Sequence, residues 1–280
     1  LVENYSDIKK IMKSTKKMIS FHSEDQGVLN KRKKYIKRGD PKSHPIWRNE
    51  SVCLTCTKHL VKLANLTKKK IHILHITTAE EIELLNKNKK FISYEVTPQH
   101  LTLSSPSCYN KLGSLAQMNP AIRSNKHLSR LRKALKNNEI DIVGSDHAPH
   151  TLAEKKQEYP DSPSGMPGVQ TLMPILLNEV SKKTISINNV VQLTSYNPIK
   201  RFKVKNKGLI KEGYDADFTF VDLTKTKKIS NKLILSKCGW TPFHGMKIKG
   251  WPVGTMINGN KVFWNEKIIG KPIGKPIKFN

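Results

Sequence analysis

Arginine is scarce in this 280-residue chain, although its 50 basic residues far outnumber the 22 acidic ones and give a formal charge of +28. It occurs only at Arg32, Arg38, Arg48, Arg123, Arg130, Arg132 and Arg201; the remaining basic residues are lysines. Aromatic residues are also few, at 7%, and do not interleave with the basic runs. Readers of nucleic acid depend on guanidinium forks and stacking rings, so no nucleic-acid partner is expected despite the charge. Lysine spread over solvated faces accounts for it, and the densest run, residues 31–38, reads as a solvated segment. The four cysteines, Cys53, Cys56, Cys108 and Cys238, imply no disulfide framework. Cys53 and Cys56 have metal-site spacing but lack a second such pair, which points to helix packing. No apolar run is long enough to span a bilayer, and the first residues lack the layout of a signal peptide. A cytoplasmic protein with no membrane partner is expected. No internal repeat and no long linker interrupt the chain.

What is present is alternation. Met18 to Asp25, Ile71 to Thr78, Phe91 to Val96 and Ile140 to Val143 read as short β-prone runs. Between and before them lie helical patterns at residues 6–18, 50–65, 79–86 and 126–137. Within residues 50–65, Val52, Cys56, Leu60 and Leu63 fall on one face of a helix. Strand and helix in turn predict parallel strands with right-handed crossovers, an α/β class. Two further helices are expected over residues 169–182 and 187–194. The pattern then changes to short strands at residues 217–222, 233–235, 246–248, 255–257 and 261–264, the last two joined by an Asn258-Gly259 turn. The reading is therefore a barrel-type α/β portion over residues 1–205 and a small β module over residues 206–280.

Three of the four parallel strands end beside a possible metal ligand: His22, His75 and Asp146. Imidazoles and a carboxylate converging on one rim suit zinc, and the C-terminal rim is where α/β barrels hold their chemistry. Such an ion polarises a carbonyl and activates water, and a carboxylate beside it can shuttle a proton. Asn119 can donate and accept hydrogen bonds, His150 can donate to a carboxylate, and a glycine-containing loop at Ser164-Gly165 lets peptide groups approach a ligand. His44, His72 and His100 read as structural, and His147 points away from Asp146 if strand alternation continues.

The run Gly144-Ser145-Asp146-His147-Ala148-Pro149-His150, with Glu154-Lys155 and Pro163-Ser164-Gly165-Met166-Pro167-Gly168, resembles dihydroorotases. These are zinc amidohydrolases that interconvert dihydroorotate and N-carbamoyl-L-aspartate in pyrimidine synthesis. The stretches at residues 21–25, 72–80, 95–101, 117–123 and 208–222 are similar to that family in the same order. The resemblance implies that this is the C-terminal part of a (β/α)8 amidohydrolase barrel, its strands 5 to 8, followed by a β module. It implies that His22 and His75 bind one Zn2+, that Asp146 binds a second and acts as general acid and base, and that Asn119, His150 and the backbone of Ser164 and Gly165 contact a small-molecule substrate. A homodimer or another pyrimidine-pathway enzyme is the expected partner. The family's His-x-His pair and its bridging ligand have no counterpart in this sequence, so an N-terminally truncated chain is expected, inactive alone and with an exposed strand edge. Hydantoinase or allantoinase activity, or a non-catalytic scaffold, are the alternatives.

Overall fold

The computed structural model describes residues 2–279. Four strands, β1 (Ile19–Phe21), β2 (Ile71–Ile73), β3 (Ile92–Val96) and β4 (Ile142–Val143), pair in sequence order and all in parallel. Every residue of β2 is buried, as expected where helices cover both faces of a parallel sheet. β1 and β4 are the edges, each with one neighbour.

The helices are α1 (Tyr5–Ser14), α2 (Gln26–Arg32), α3 (His44–Trp47), α4 (Glu50–Thr67), α5 (Ala79–Asn86), α6 (Pro98–Thr102), α7 (Ser107–Leu112), α8 (Asn125–Lys136), α9 (Leu152–Lys155), α10 (Leu172–Ser181), α11 (Ile187–Val191) and α12 (Asn197–Phe202). The predicted stripe of α4 is buried as read, and both its cysteines are free and buried. Thr78 caps α5 and Thr151 caps α9, each exchanging hydrogen bonds with the glutamate three residues on. α11 passes through a single π-turn at Gln192–Tyr196 into α12. No helix among the described residues is long and apolar enough to cross a membrane.

The β module differs in detail from its sequence pattern. β5 (Phe218–Lys228), β6 (Lys247–Ile257), β7 (Asn260–Trp264) and β8 (Lys267–Ile268) form one antiparallel sheet. Two predicted short strands, at residues 246–248 and 255–257, are the ends of the single strand β6. Gly250, Pro252 and Gly254 lie between those ends, and irregular pairing with β5 takes up the proline. Residues 233–235 are not a strand, since a 3-10 turn occupies Asn231–Leu233. The β6–β7 turn forms as read, with φ 48° at Asn258 and 78° at Gly259.

Two compact units result, one running to Val169 and including Asn231–Pro242, the other comprising Gln170–Ser230 and the chain from Phe243 onward. This division does not coincide with the 205/206 boundary of the sequence. The reason is that α10 packs on β6, where the Asn178 side-chain oxygen accepts from the Lys249 backbone N–H at 3.1 Å. The basic run at residues 31–38 is mostly exposed, as read, with its two arginines held by partners. Arg32 donates to the Ile46 and Trp47 carbonyls, and Arg38 pairs with Glu158 and Asp161.

Candidate active site

β1 and β2 are neighbours, so the residues that follow them are brought side by side. His22 Nδ1 and His75 Nε2 face each other at 3.0 Å. The other ring nitrogen of His22 lies 2.9 Å from Glu24 Oε2, and the same oxygen accepts from Arg48. Burial works against charge on Glu24, but the His22 ring and the Arg48 guanidinium more than offset it and hold the carboxyl below its usual range. His75 is buried, and desolvation with the neighbouring His22 ring pulls its pKa down to about 3. It is therefore a neutral imidazole, the form that binds a metal.

Asp146 follows β4, and His75 and Asp146 share an unusual backbone, with φ 37° and 41°. Left-handed conformations at non-glycine residues cost of order 1–3 kcal/mol and cluster at functional sites. Burial raises the Asp146 pKa, the Glu95 carboxylate raises it further, and His22 opposes them. Glu95, at the end of β3, sits beneath the backbone of Gly144, where an added Cβ would come within 2.6 Å of its carboxylate. It also holds His72 Nε2 at 3.1 Å, and His72 Nδ1 meets Ser93 Oγ at 2.8 Å, so His72 is tied to the sheet as read. Among the described residues no three His, Cys, Asp or Glu side chains are grouped so as to hold a metal ion. The chain brings His22 and His75 together and leaves Asp146 outside that pair.

A second set of site residues surrounds the loop after α9. Gly165 has φ 142°, a region few side chains allow, and a Cβ there would meet the Ala148 oxygen at 2.7 Å and the His150 ring at 3.2 Å. Glycine is required for the loop to lie against His150. The Gly165 N–H donates to the Gln117 carbonyl at 2.9 Å, two residues before Asn119. Asn119 Oδ1 is buried and has no hydrogen-bond partner among the described residues. Buried carbonyl oxygens of this kind are normally satisfied, so a free one marks a place for a ligand or water. His147 takes no part: its Nδ1 accepts from the Gly168 N–H at 3.1 Å. His100 Nε2 and His44 Nε2 donate to the Pro120 and Met118 carbonyls, structural roles on either side of Asn119.

Sequence reasoning assigned no role to Glu24, Glu95, Gln117 or Lys155. Glu24 carried a usable signal, an acid two residues after a strand-end histidine. Glu95, Gln117 and Lys155 lie in stretches that carry the family resemblance, but nothing local gave them a role, because each acts across the fold.

The residue pair His22 and His75, with Glu24 behind one ring, has the donor chemistry of two metal ligands. A histidine that binds a metal commonly gives its second ring nitrogen to a carboxylate. Comparison with known proteins agrees with this architecture. Over 261 residues the chain is 35% identical to a dihydroorotase of Pyrococcus furiosus, covering 93% of this chain and 58% of that protein. It is 33% identical to a dihydroorotase of Methanosphaera stadtmanae, covering 88% of this chain and 58% of that protein. The chain thus spans a little under three fifths of the length of these relatives. Among solved structures, an L-hydantoinase (dihydropyrimidinase) from Arthrobacter aurescens superposes with a TM-score of 0.91 at 23% identity, over 96% of this chain and 62% of that one. A dihydropyrimidinase from Brevibacillus agri superposes with a TM-score of 0.86 at 25% identity, over 95% of this chain and 60% of that one. The amidohydrolase family model matches residues 3–262, and with the parallel strands and paired histidines in place, the chain belongs to the amidohydrolase family.

Proposed function

We propose that this chain supplies the proton-transfer and substrate-holding part of a zinc-dependent dihydroorotase, which interconverts dihydroorotate and N-carbamoyl-L-aspartate. The observation that carries the reading is the pairing of His22 with His75 in the chain whose Asn119 keeps a buried, unpartnered oxygen. The names of the curated relatives support it. Zinc held by His22 and His75 would polarise the amide carbonyl and activate water.

The chain's own residues do the rest. Asp146, with its pKa raised by burial and by Glu95, is poised to take a proton from the attacking water and return it to the leaving nitrogen. Glu24 fixes the His22 ring through the nitrogen turned away from His75. The Asn119 amide meets polar edges of the substrate ring, while His150 and the peptide groups of Ser164 and Gly165 hold its carboxylate.

The test is an assay of dihydroorotate hydrolysis by the zinc-loaded protein extended to the length of its relatives, beside hydantoin and allantoin as competing substrates. Turnover of dihydroorotate that is lost in Asp146→Asn supports the proposal. Preference for hydantoin, or activity indifferent to Asp146, overturns it.

A further inference from the structure

Lys155 is fully buried at the end of α9, and among the described residues it forms no salt bridge. Its ammonium instead donates to three peptide carbonyls, Gln117 at 3.1 Å, Pro163 at 2.8 Å and Gly165 at 3.1 Å, using all its donors. The Trp240 ring lies 5.9 Å away, and the Trp240 indole N–H donates to the His150 carbonyl at 2.8 Å. One buried charge therefore touches both segments assigned above to the substrate, the one leading to Asn119 and the one carrying Ser164 and Gly165.

Lysine in a dry site without a carboxylate is costly, and burial pushes its pKa down to about 7. A neutral side chain of the same length would fill this space with less desolvation. What the ammonium adds is a fixed tripod between two loops and a field behind their peptides. The Pro163–Ser164 peptide is trans, so its N–H points away from the carbonyl that Lys155 holds. That Ser164 N–H has no acceptor among the described residues. A hydrogen bond from a cation to the carbonyl of a peptide strengthens the same peptide's N–H as a donor.

We propose that Lys155 is a positioning residue that locks the Ser164–Gly165 turn to the Asn119 segment and primes the Ser164 N–H to receive an anionic substrate group. The substrate part of this rests on the proposed function; the locking part does not. Two readouts separate them. Hydrogen exchange of residues 115–120 and 159–168 is compared, at about pH 6 where the ammonium is protonated, in wild type, Lys155→Met and Lys155→Arg. Dihydroorotate affinity is measured by calorimetry on the same three variants in the zinc-loaded protein extended to the length of its relatives.

Lys155→Met, which keeps length and loses charge, is expected to speed exchange at Gly165 by about tenfold or more while α4 and α8 stay protected. Its dissociation constant for dihydroorotate should rise about tenfold, and Lys155→Arg should recover much of that loss. Unchanged exchange at Gly165 in folded Lys155→Met overturns the lock. Faster exchange with unchanged affinity overturns the priming. If the extended wild type itself fails to bind dihydroorotate, the proposed function falls and the exchange result still decides the lock. Should Lys155→Met not fold, the wild-type 15Nζ spectrum decides instead: one lysine ammonium must exchange slowly with solvent, and its absence counts against the tripod.

Discussion

Acid should unfold this protein earlier than its carboxylates alone would allow, because His44 and His100 are buried as neutral imidazoles. Burial is the main cause in both, and for each the pKa falls from 6.5 to about 4. A nearby guanidinium adds to the effect, Arg48 at His44 and Arg123 at His100, while the Met118 and Pro120 carbonyls that accept from the rings oppose it. Since the folded pKa lies below the unfolded one, the unfolded chain binds more protons between about pH 6.5 and 4. The stability contributed by each neutral ring is complete above that window and drains away as the pH falls through it. Going from about pH 7.5 to about pH 5, each histidine should cost about 2 kcal/mol, or about 4 kcal/mol for the two. That is a large share of the 5–15 kcal/mol that stabilises a typical domain. Glu50, held down to about 2 by its hydrogen bond to His127, gives up its contribution mainly below this window. The assay is urea unfolding in a chelating buffer at the two pH values, for wild type, His44→Gln and His100→Gln. Each variant should start less stable, yet lose about 2 kcal/mol less than wild type on acidification. His75 adds a similar loss to all three proteins and cancels from the comparison. Equal losses in wild type and both variants would refute the burial argument.

Other expectations follow from the site. Asp146→Asn should stabilise the fold by about 1 kcal/mol in thermal unfolding near neutral pH, because it removes a buried carboxylate set against Glu95, while abolishing turnover in the extended enzyme. Glu24→Gln should weaken zinc affinity by about 10- to 100-fold in a competition titration with a chromogenic chelator, because the His22 ring loses its charged partner. Gly165→Ala should cost about 1–3 kcal/mol in urea unfolding and slow substrate association, since a methyl group there collides with Ala148 and the His150 ring.

Much of the parallel half was legible because it is local. Burial on both faces writes β2, β3 and β4 as short apolar runs, and helical spacing wrote α4, α5 and α8 to within a few residues. The strand-end positions of His22 and His75 followed from that order, and their meeting at 3.0 Å follows from β1 pairing with β2. The single strand β6 was not legible, because Gly250, Pro252 and Gly254 interrupt its apolar pattern and only the irregular pairing with β5 accommodates them. Lys155 was equally hidden. It lies in the run that carries the family resemblance, but nothing local says that it is buried, since its acceptors lie 38, 8 and 10 residues away.

The edges of the parallel sheet bear on how these 280 residues, taken by themselves, behave at high concentration. β1 offers three residues along its open side and β4 two. Such short ladders template little β-growth, and a surface carrying a formal +28 repels its own copies. Salt that screens this repulsion removes the protection, so colloidal stability should be set by ionic strength more than by temperature. Low-salt storage is the practical corollary.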